Sequence, residues 1–268
     1  MKKLVIAIVL FGACIQSPDV STLGGLSYTR YNDICKEDST LFWLLDVRVS
    51  NTRDSILFST FNNRSKLELR RQSVDPTSSL VKLLTKTCVN DSVFLKLPAD
   101  SFYSALGGKC PESINCSMNL EALLWIRDKL DNKGYVAHKL AYENESINQY
   151  IKTSKWQATL DSASHIRYEF LNRNLEGHPL SKRGKLNYSI SKLNGHVLTK
   201  NKDSDPLIYD VNDTSILKGI QRICSLCNEG DRVRAILPSS QAFGKDGNSK
   251  VNGFTPLVIE LEIIEVTD

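Results

Sequence analysis

The chain has 268 residues, of which 41% are hydrophobic and 24% charged, and this apolar fraction excludes a wholly disordered chain. Its 34 basic and 30 acidic residues leave a formal net charge of +4, too small and dispersed for nucleic-acid binding, which needs a concentrated basic face. A mean hydropathy of −0.24 excludes a multispan membrane protein, and seven cysteines are too few for a disulfide scaffold. The length allows one large domain or two small ones.

The first thirteen residues have the composition of a signal peptide. They read MKKLVIAIVLFGA, in which two lysines precede an apolar run of about nine residues, too short to span a bilayer, and a small-residue end. Cys14 follows directly and resembles the lipobox cysteine at which bacterial lipoproteins are cleaved and acylated; an ordinary signal peptide with a chance cysteine is the alternative. Cleavage there removes two lysines, which lowers the charge from +4 to about +2. Residues 14–25 are polar and turn-rich and would form a tether.

An internal repeat follows, in which two stretches align without gaps at an offset of 140 residues. Asn90 lies opposite Gly230, and these two residue types best tolerate a left-handed turn. The same register places the turn pair Asp54-Ser55 opposite Asn194-Gly195. The identical pairs are Asp91/Asp231, Val93/Val233, Leu97/Leu237 and Pro98/Pro238. A constant offset over some fifty residues predicts two copies of one domain.

Local patterns predict the elements of the second copy. A partly helical connector covers 135–160, and residues 186–190, 233–237 and 257–263 are typical of strands. Apolar spacing over 216–227 predicts one short helix, with Gly230 as its stop. Each copy is therefore expected to be an antiparallel α+β unit. The predicted domains are 26–131 and 161–268, joined by a connector over 132–160.

The second copy contains one long motif. It reads Gly219-x10-Gly230-Asp231-x-Val233-x3-Leu237-Pro238-x4-Phe243-Gly244, followed by Thr255-Pro256-Leu257-Val258-Ile259-Glu260-Leu261-Glu262. On these residues the second copy resembles the C-terminal half of an FKBP-type peptidyl-prolyl cis–trans isomerase. The resemblance covers residues 164–267 well and residues 28–130 faintly, and a tandem, lipid-anchored arrangement is similar to isomerase lipoproteins of bacteria. The resemblance implies an antiparallel sheet wrapped around one short helix, with a ligand pocket between the two.

The chemistry implied by the resemblance needs no nucleophile, metal or cofactor. Rotation about an X-Pro bond faces a barrier of roughly 18–20 kcal/mol from amide resonance. An apolar pocket lowers this barrier because it removes water from the amide and favours the twisted state.

The family's pocket carries over to this sequence only in part. Tyr188 matches a pocket tyrosine, Phe243 keeps a ring but loses a hydroxyl, Thr199 replaces the aspartate that polarises the twisted amide, and Ile220 replaces the floor tryptophan. A backbone N–H donor falls at Leu217. The alternative is that these side chains simply fill the core. The full predicted pocket is Tyr188, Leu198, Thr199, Leu207, Leu217, Ile220, Phe243 and Ile259.

The first copy is further from the family pattern. Phe58 and Tyr103 keep ring positions, but Arg48 falls opposite Tyr188, where an arginine in an apolar pocket would need a partner. A register shifted by one residue would instead turn Val47 or Val49 inward. Either alignment predicts that this copy does not catalyse.

The cysteines and histidines give weaker signals. Cys224 and Cys227 form a CxxC on the apolar helix face and are expected to be buried core residues rather than a redox or metal pair. Cys110 and Cys116 are candidates for a small disulfide loop, with Cys35 and Cys88 as competing partners. The four histidines show no ligand spacing.

These observations favour an exported protein, lipid-anchored in the bacterial envelope, at the outer membrane facing the periplasm or the surface. Its second domain would bind proline-containing or unfolded segments with weak or residual isomerase activity and no cofactor. The alternative is a non-catalytic interaction module in an envelope protein complex.

Overall fold

The structure, a computed structural model, describes residues 20–23, 26–29, 40–52, 55–61, 66–74, 76–201 and 204–267. The predicted signal peptide and Cys14 lie outside this part of the chain, as does Asp54 of the predicted turn pair. The chain divides into two compact units, Met1–Tyr135 and Val136–Asp268. Within the described ranges no helix is both long and apolar enough to cross a membrane.

Unit 1 is an antiparallel sheet with two short helices. Its strands run in the order β1-β2-β6-β7-β3-β4, and β5 pairs with β3. Val20–Leu23, assigned by sequence to the tether, instead forms β1 and pairs with β2. The elements are β1 (Val20–Leu23), β2 (Leu26–Thr29), β3 (Phe42–Asn51), β4 (Ile56–Ser59), β5 (Leu67–Arg70), α1 (Ser79–Lys86), β6 (Ser92–Pro98), α2 (Ala99–Ala105) and β7 (Asn119–Leu130).

Helix α1 packs against one face of this sheet. Ser78 caps it, with its Oγ accepting a hydrogen bond from the Val81 N–H at 3.2 Å. The inward residues of β3 and the apolar face of α1 share one core cluster, because alternate strand residues point to the same face. These residues are Trp43, Leu45, Val47 and Val49 on β3, and Leu80, Val81, Leu83 and Leu84 on α1.

Unit 2 has the same strand order, with a second seven-stranded antiparallel sheet. The order is β11-β10-β14-β13-β9-β8, and β12 pairs with β10. The predicted α+β class is therefore confirmed at the level of antiparallel sheets and α-helices. The elements are α3 (Asn132–Ser154), β8 (Thr159–Leu160), β9 (Arg167–Asn172), β10 (Arg183–Lys192), β11 (Val197–Lys200), β12 (Leu207–Asp210), α4 (Lys218–Cys224), β13 (Arg232–Leu237) and β14 (Leu257–Thr267).

Two sequence expectations for unit 2 change in the structure. Helix α4 ends at Cys224, so Cys227 lies in the following turn, where the Leu180 N–H donates to its carbonyl at 2.9 Å. Gly230 is not the helix stop: it has φ 82° in the turn that leads into β13. Residues 132–154 of the predicted connector form one continuous helix, α3, and from Val136 onward this helix belongs to unit 2.

One turn has the same geometry in both units. Asn90 has φ 73°, and Gly230 has φ 82°. Asp91 accepts a hydrogen bond from the Cys88 N–H at 2.7 Å, and Asp231 accepts one from the Asn228 N–H at 2.6 Å. Both aspartates are buried. The aligned Asn/Gly and Asp pairs of the sequence repeat are therefore set by one backbone turn.

The repeat changes register in β3 and β4 and in their counterparts β10 and β11. Val49 pairs with Ala122 and Phe58, whereas Ile190 pairs with Ile259 and Thr199. The offset there is 141 residues, so Val47 and not Arg48 lies opposite Tyr188. The shifted register is correct: Val47 is buried and Arg48 is exposed on the opposite face of the sheet. The difference arises between β4 and β5, where unit 1 has one more residue than unit 2.

Candidate functional site

The candidate site of unit 2 lies where the inward face of the sheet meets the start of α4. Seven of the eight predicted pocket residues belong to or pack against one apolar cluster. They come from five elements and from the loop that holds Phe243, so only the folded unit brings them together. The seven are Tyr188, Leu198, Leu207, Leu217, Ile220, Phe243 and Ile259.

This cluster has a buried floor and a partly accessible rim. Ile220 on α4 is 5% exposed and Ile259 on β14 is 0% exposed, and we call these two buried side chains the floor and the half-buried ones the rim. The rim side chains are all half-buried: Tyr188, Leu198, Leu207, Leu217 and Phe243. A partly buried apolar surface removes water from an amide that binds against it.

Thr199 does not join the cluster. It is exposed on β11, directly opposite Ile190, so the position of the family's aspartate carries neither a charge nor a buried polar group. Ile216 and Ala242, which are not among the predicted pocket residues, pack against the same cluster. The apolar spacing at 216, 217 and 220 was the available signal for Ile216.

Both ends of the site are fixed by close packing. A Cβ built on Gly219 would lie 2.7 Å from the Leu237 methyl groups and 2.9 Å from the Gln241 carbonyl oxygen, so α4 touches the turn after β13. Beyond Phe243, the loop folds back where the Phe254 N–H donates to the Gly244 carbonyl at 3.0 Å. Backbone contacts therefore hold the helix start and the loop beside each other.

The loop itself is anchored to the core. Val251 is 2% exposed and belongs to the apolar cluster. The Asn248 side-chain oxygen accepts hydrogen bonds from the Lys250 and Val251 N–H groups, each at 2.8 Å. This turn and its buried valine hold the segment that follows Phe243 in one conformation.

The equivalent positions in unit 1 carry different side chains. Tyr103 packs against the core cluster, but Phe58 is 50% exposed and lies at the position of Thr199 rather than Leu198. Ser79 stands where Gly219 does in unit 2 and borders a cavity of about 380 Å³ that Leu97 and Ser101 also line. Unit 1 therefore does not reproduce the rim of unit 2.

The two cysteines of unit 2 are buried as predicted, and in unit 1 the candidate pair Cys110 and Cys116 is bonded. Cys224 and Cys227 are buried free thiols, and burial raises the pKa of both, that of Cys227 to about 12. Cys110 and Cys116 form a disulfide with a Cα–Cα distance of 5.9 Å. Among the described residues, no three His, Cys, Asp or Glu side chains cluster as metal ligands.

No family model matches the chain, and no curated protein matches it either. A peptidyl-prolyl cis–trans isomerase from Pseudomonas syringae pv. tomato is similar in structure, with a TM-score of 0.42 and 21% identity, covering 49% of this chain and 96% of its own. FkpA from Escherichia coli has a TM-score of 0.40 and 16% identity, covering 52% of this chain and 74% of its own. The structural neighbours of the chain are FKBP-type peptidyl-prolyl isomerases.

Proposed function

We propose that unit 2 is an FKBP-like domain that binds proline-containing or unfolded segments and has a weak, residual peptidyl-prolyl isomerase activity. The observation that carries this proposal is the half-buried rim of Tyr188, Leu198, Leu207, Leu217 and Phe243 above a buried floor. A pocket of this kind accepts an apolar ring such as proline and leaves its amide poorly hydrated.

The proposed activity is weak for two reasons in the same site. Thr199 is exposed and uncharged, so no carboxylate polarises the twisted amide. Ile220 gives the floor an aliphatic surface, which excludes water but lacks the partial charges at the edge of an aromatic ring. Desolvation alone is then left to lower the roughly 18–20 kcal/mol barrier of the peptide bond.

We also propose that unit 1 is a second, non-catalytic FKBP-like domain and that the mature chain is exported and anchored by a lipid on Cys14. The strand order shared by the two sheets supports the first part, and the sequence of residues 1–14 supports the second. Mass spectrometry of the protein from membranes is expected to find an acylated N-terminal Cys14. A free chain that begins elsewhere would refute the anchor.

The isomerase proposal is tested with the full mature chain in a protease-coupled proline-peptide assay. Wild type is expected to accelerate isomerisation measurably above the uncatalysed rate. Tyr188→Ala and Phe243→Ala should each reduce that acceleration about tenfold, the effect expected for loss of a large apolar contact at the reacting centre. Leu175→Ala, at an exposed position outside the site, is the matched control and should match wild type.

The outcomes separate the proposal from its alternatives. If a folded wild-type chain does not accelerate isomerisation, the proposed isomerase activity is refuted. If the acceleration persists in both rim variants, the activity does not arise at the rim of unit 2. Thr199 and Ile220 favour a second candidate, a non-catalytic interaction module that joins an envelope protein complex; this candidate predicts peptide binding that Tyr188→Ala abolishes, without any acceleration.

A further inference from the structure

A buried glutamate on α3 contacts the candidate site from outside the sheet. Glu143 is 4% exposed, and both of its carboxylate oxygens accept hydrogen bonds from Ser239. One oxygen takes the Ser239 N–H, and the other takes its Oγ–H at 2.8 Å. Ser239 is itself buried, so the carboxylate and its two donors form a closed contact away from solvent.

Ser239 begins the short 3₁₀ turn that leads to the rim. The turn covers Ser239–Gln241, and Phe243 follows two residues later. Its first N–H lacks a partner within the turn and needs an external acceptor. Pro238 precedes it and carries no side-chain acceptor, so Glu143, 96 residues earlier in the chain, supplies the cap.

Unit 1 meets the same requirement from its own loop. There Pro98 precedes α2, and the Ala99 N–H donates to the Met118 carbonyl at 2.8 Å, while the Asp100 N–H donates to the Cys116 carbonyl at 3.0 Å. Between the paired residues Leu97 and Leu120, unit 1 has three more residues than unit 2 has between Leu237 and Leu257. In unit 2 the acceptor is the Glu143 side chain on α3, so α3 supplies the cap of that unit's turn.

A carboxylate is not needed merely to dock α3. Ile147 and Trp156 already pack the helix segment against Ile236 and Val258 on the outer face of the sheet. Burying a carboxylate among neutral donors costs free energy that an aliphatic side chain would avoid, and burial raises the pKa of Glu143 although the Ser239 donors oppose that shift. Its contact with Ser239 therefore explains the residue better than packing does.

We propose that Glu143 is a positioning residue of the peptide site: it caps the 239–241 turn and so holds Phe243 at the rim. This inference rests on the proposed function of unit 2, and it makes the helical connector a working part of that site. Gln241 extends the effect to the opposite wall, because its carbonyl lies against Gly219 at the start of α4.

The test uses Glu143→Leu in the full chain. This substitution places an apolar side chain at the buried position and removes the hydrogen-bond acceptor. Amide hydrogen exchange over 239–244 is expected to accelerate about tenfold or more, the effect of losing one charge-assisted hydrogen bond. KM for a proline peptide should rise several-fold with little change in kcat, while the unfolding temperature stays at or above that of wild type. Gln149→Leu, exposed on the same helix, is the control and should leave all three unchanged.

The readouts distinguish the possible failures. Unchanged exchange over 239–244 in Glu143→Leu would overturn the positioning role, whatever the activity. A second outcome is faster exchange in Glu143→Leu together with a wild-type chain that neither binds nor isomerises the peptide. This outcome would refute the proposed function and the role of Glu143 in it, and Glu143 would then only stabilise the 239–241 turn. If the leucine variant does not fold, Ser239→Ala keeps the carboxylate and removes one donor, and it should shift exchange and KM in the same direction by a smaller factor.

Discussion

Replacing Asp231 tests whether the repeated turn, which we call the frame, makes a large contribution to the stability of unit 2. Its side chain is fully buried and accepts three hydrogen bonds, each at 2.6 Å, from the Asn174 N–H, the Asn228 N–H and the Arg173 guanidinium. We expect Asp231→Ala to destabilise unit 2 strongly and Asp231→Asn to do so by about half as much.

The magnitude follows from the donors that each change leaves without an acceptor. In Asp231→Ala, two largely buried backbone N–H groups lose their partner, at about 1–3 kcal/mol each, so a loss of about 4 kcal/mol is expected. The Arg173 contribution is small, because that side chain is 35% exposed, keeps its bond to the Leu226 carbonyl and remains hydrated. Asp231→Asn keeps one oxygen, and about 2 kcal/mol is expected.

The assay is urea and thermal unfolding of the full chain, followed by probes in each unit. About 4 kcal/mol corresponds to a fall of roughly 12–20 °C in the unfolding temperature of a unit of this size. Asp246→Asn, an exposed aspartate of the same unit, is the control and should change stability by less than about 0.5 kcal/mol. If Asp231→Ala unfolds at the same temperature as this control, the hydrogen bonds of the turn do not contribute the stability that we assign to them.

Three further changes test other parts of the structure. Acidification from pH 7 towards 5 should stabilise wild type relative to Glu143→Gln. Burial raises the pKa of the Glu143 carboxyl, so on acidification the folded chain binds a proton before the unfolded chain does, and the stability linked to this proton is complete at low pH and lost as pH rises. Parallel pH curves in urea would contradict this. Gly219→Ala should cost unit 2 about 1–3 kcal/mol in denaturant unfolding, since the added methyl overlaps packed atoms, and unchanged stability would show that the helix start is loose. Replacing Cys110 and Cys116 by alanine should cost unit 1 about 2 kcal/mol, the closure entropy of a short loop, and calorimetry would measure it.

A gapless alignment of the two copies predicts the wrong strand register for part of the first copy. The offset of 140 is correct for the turn at Asp91 and Asp231, but one extra residue between β4 and β5 makes it 141 in β3 and β4. Because side chains alternate along a strand, this one residue exchanges the inward and outward faces. Burial of an arginine among valines was the physical sign that the gapless alignment fails at Arg48.

Glu143 could not be identified from the sequence for a different reason. A lone glutamate in a polar helical stretch is typical of an exposed side chain, and the residue that donates to Glu143 is 96 residues away. The requirement for an acceptor at Ser239 arises from the proline before it, and from a connection between β13 and β14 that is three residues shorter, counted between paired leucines, than the one between β6 and β7. Such a pairing follows from tertiary structure and leaves no local pattern.

The frame and the pocket place different demands on the residues that form them. The turn requires an aspartate that accepts specific backbone donors and a residue with positive φ, and both units satisfy this with the same or similar residue types. The pocket of unit 2 requires only apolar volume with a partly open rim, which Leu198 and Ile220 supply as readily as aromatic rings would. In the proposed function, binding of an apolar ring tolerates these replacements, whereas acceleration loses the carboxylate that Thr199 cannot replace and keeps only desolvation. Because desolvation is then the sole source of catalysis, Tyr188→Ala should lower peptide affinity and kcat/KM by the same factor.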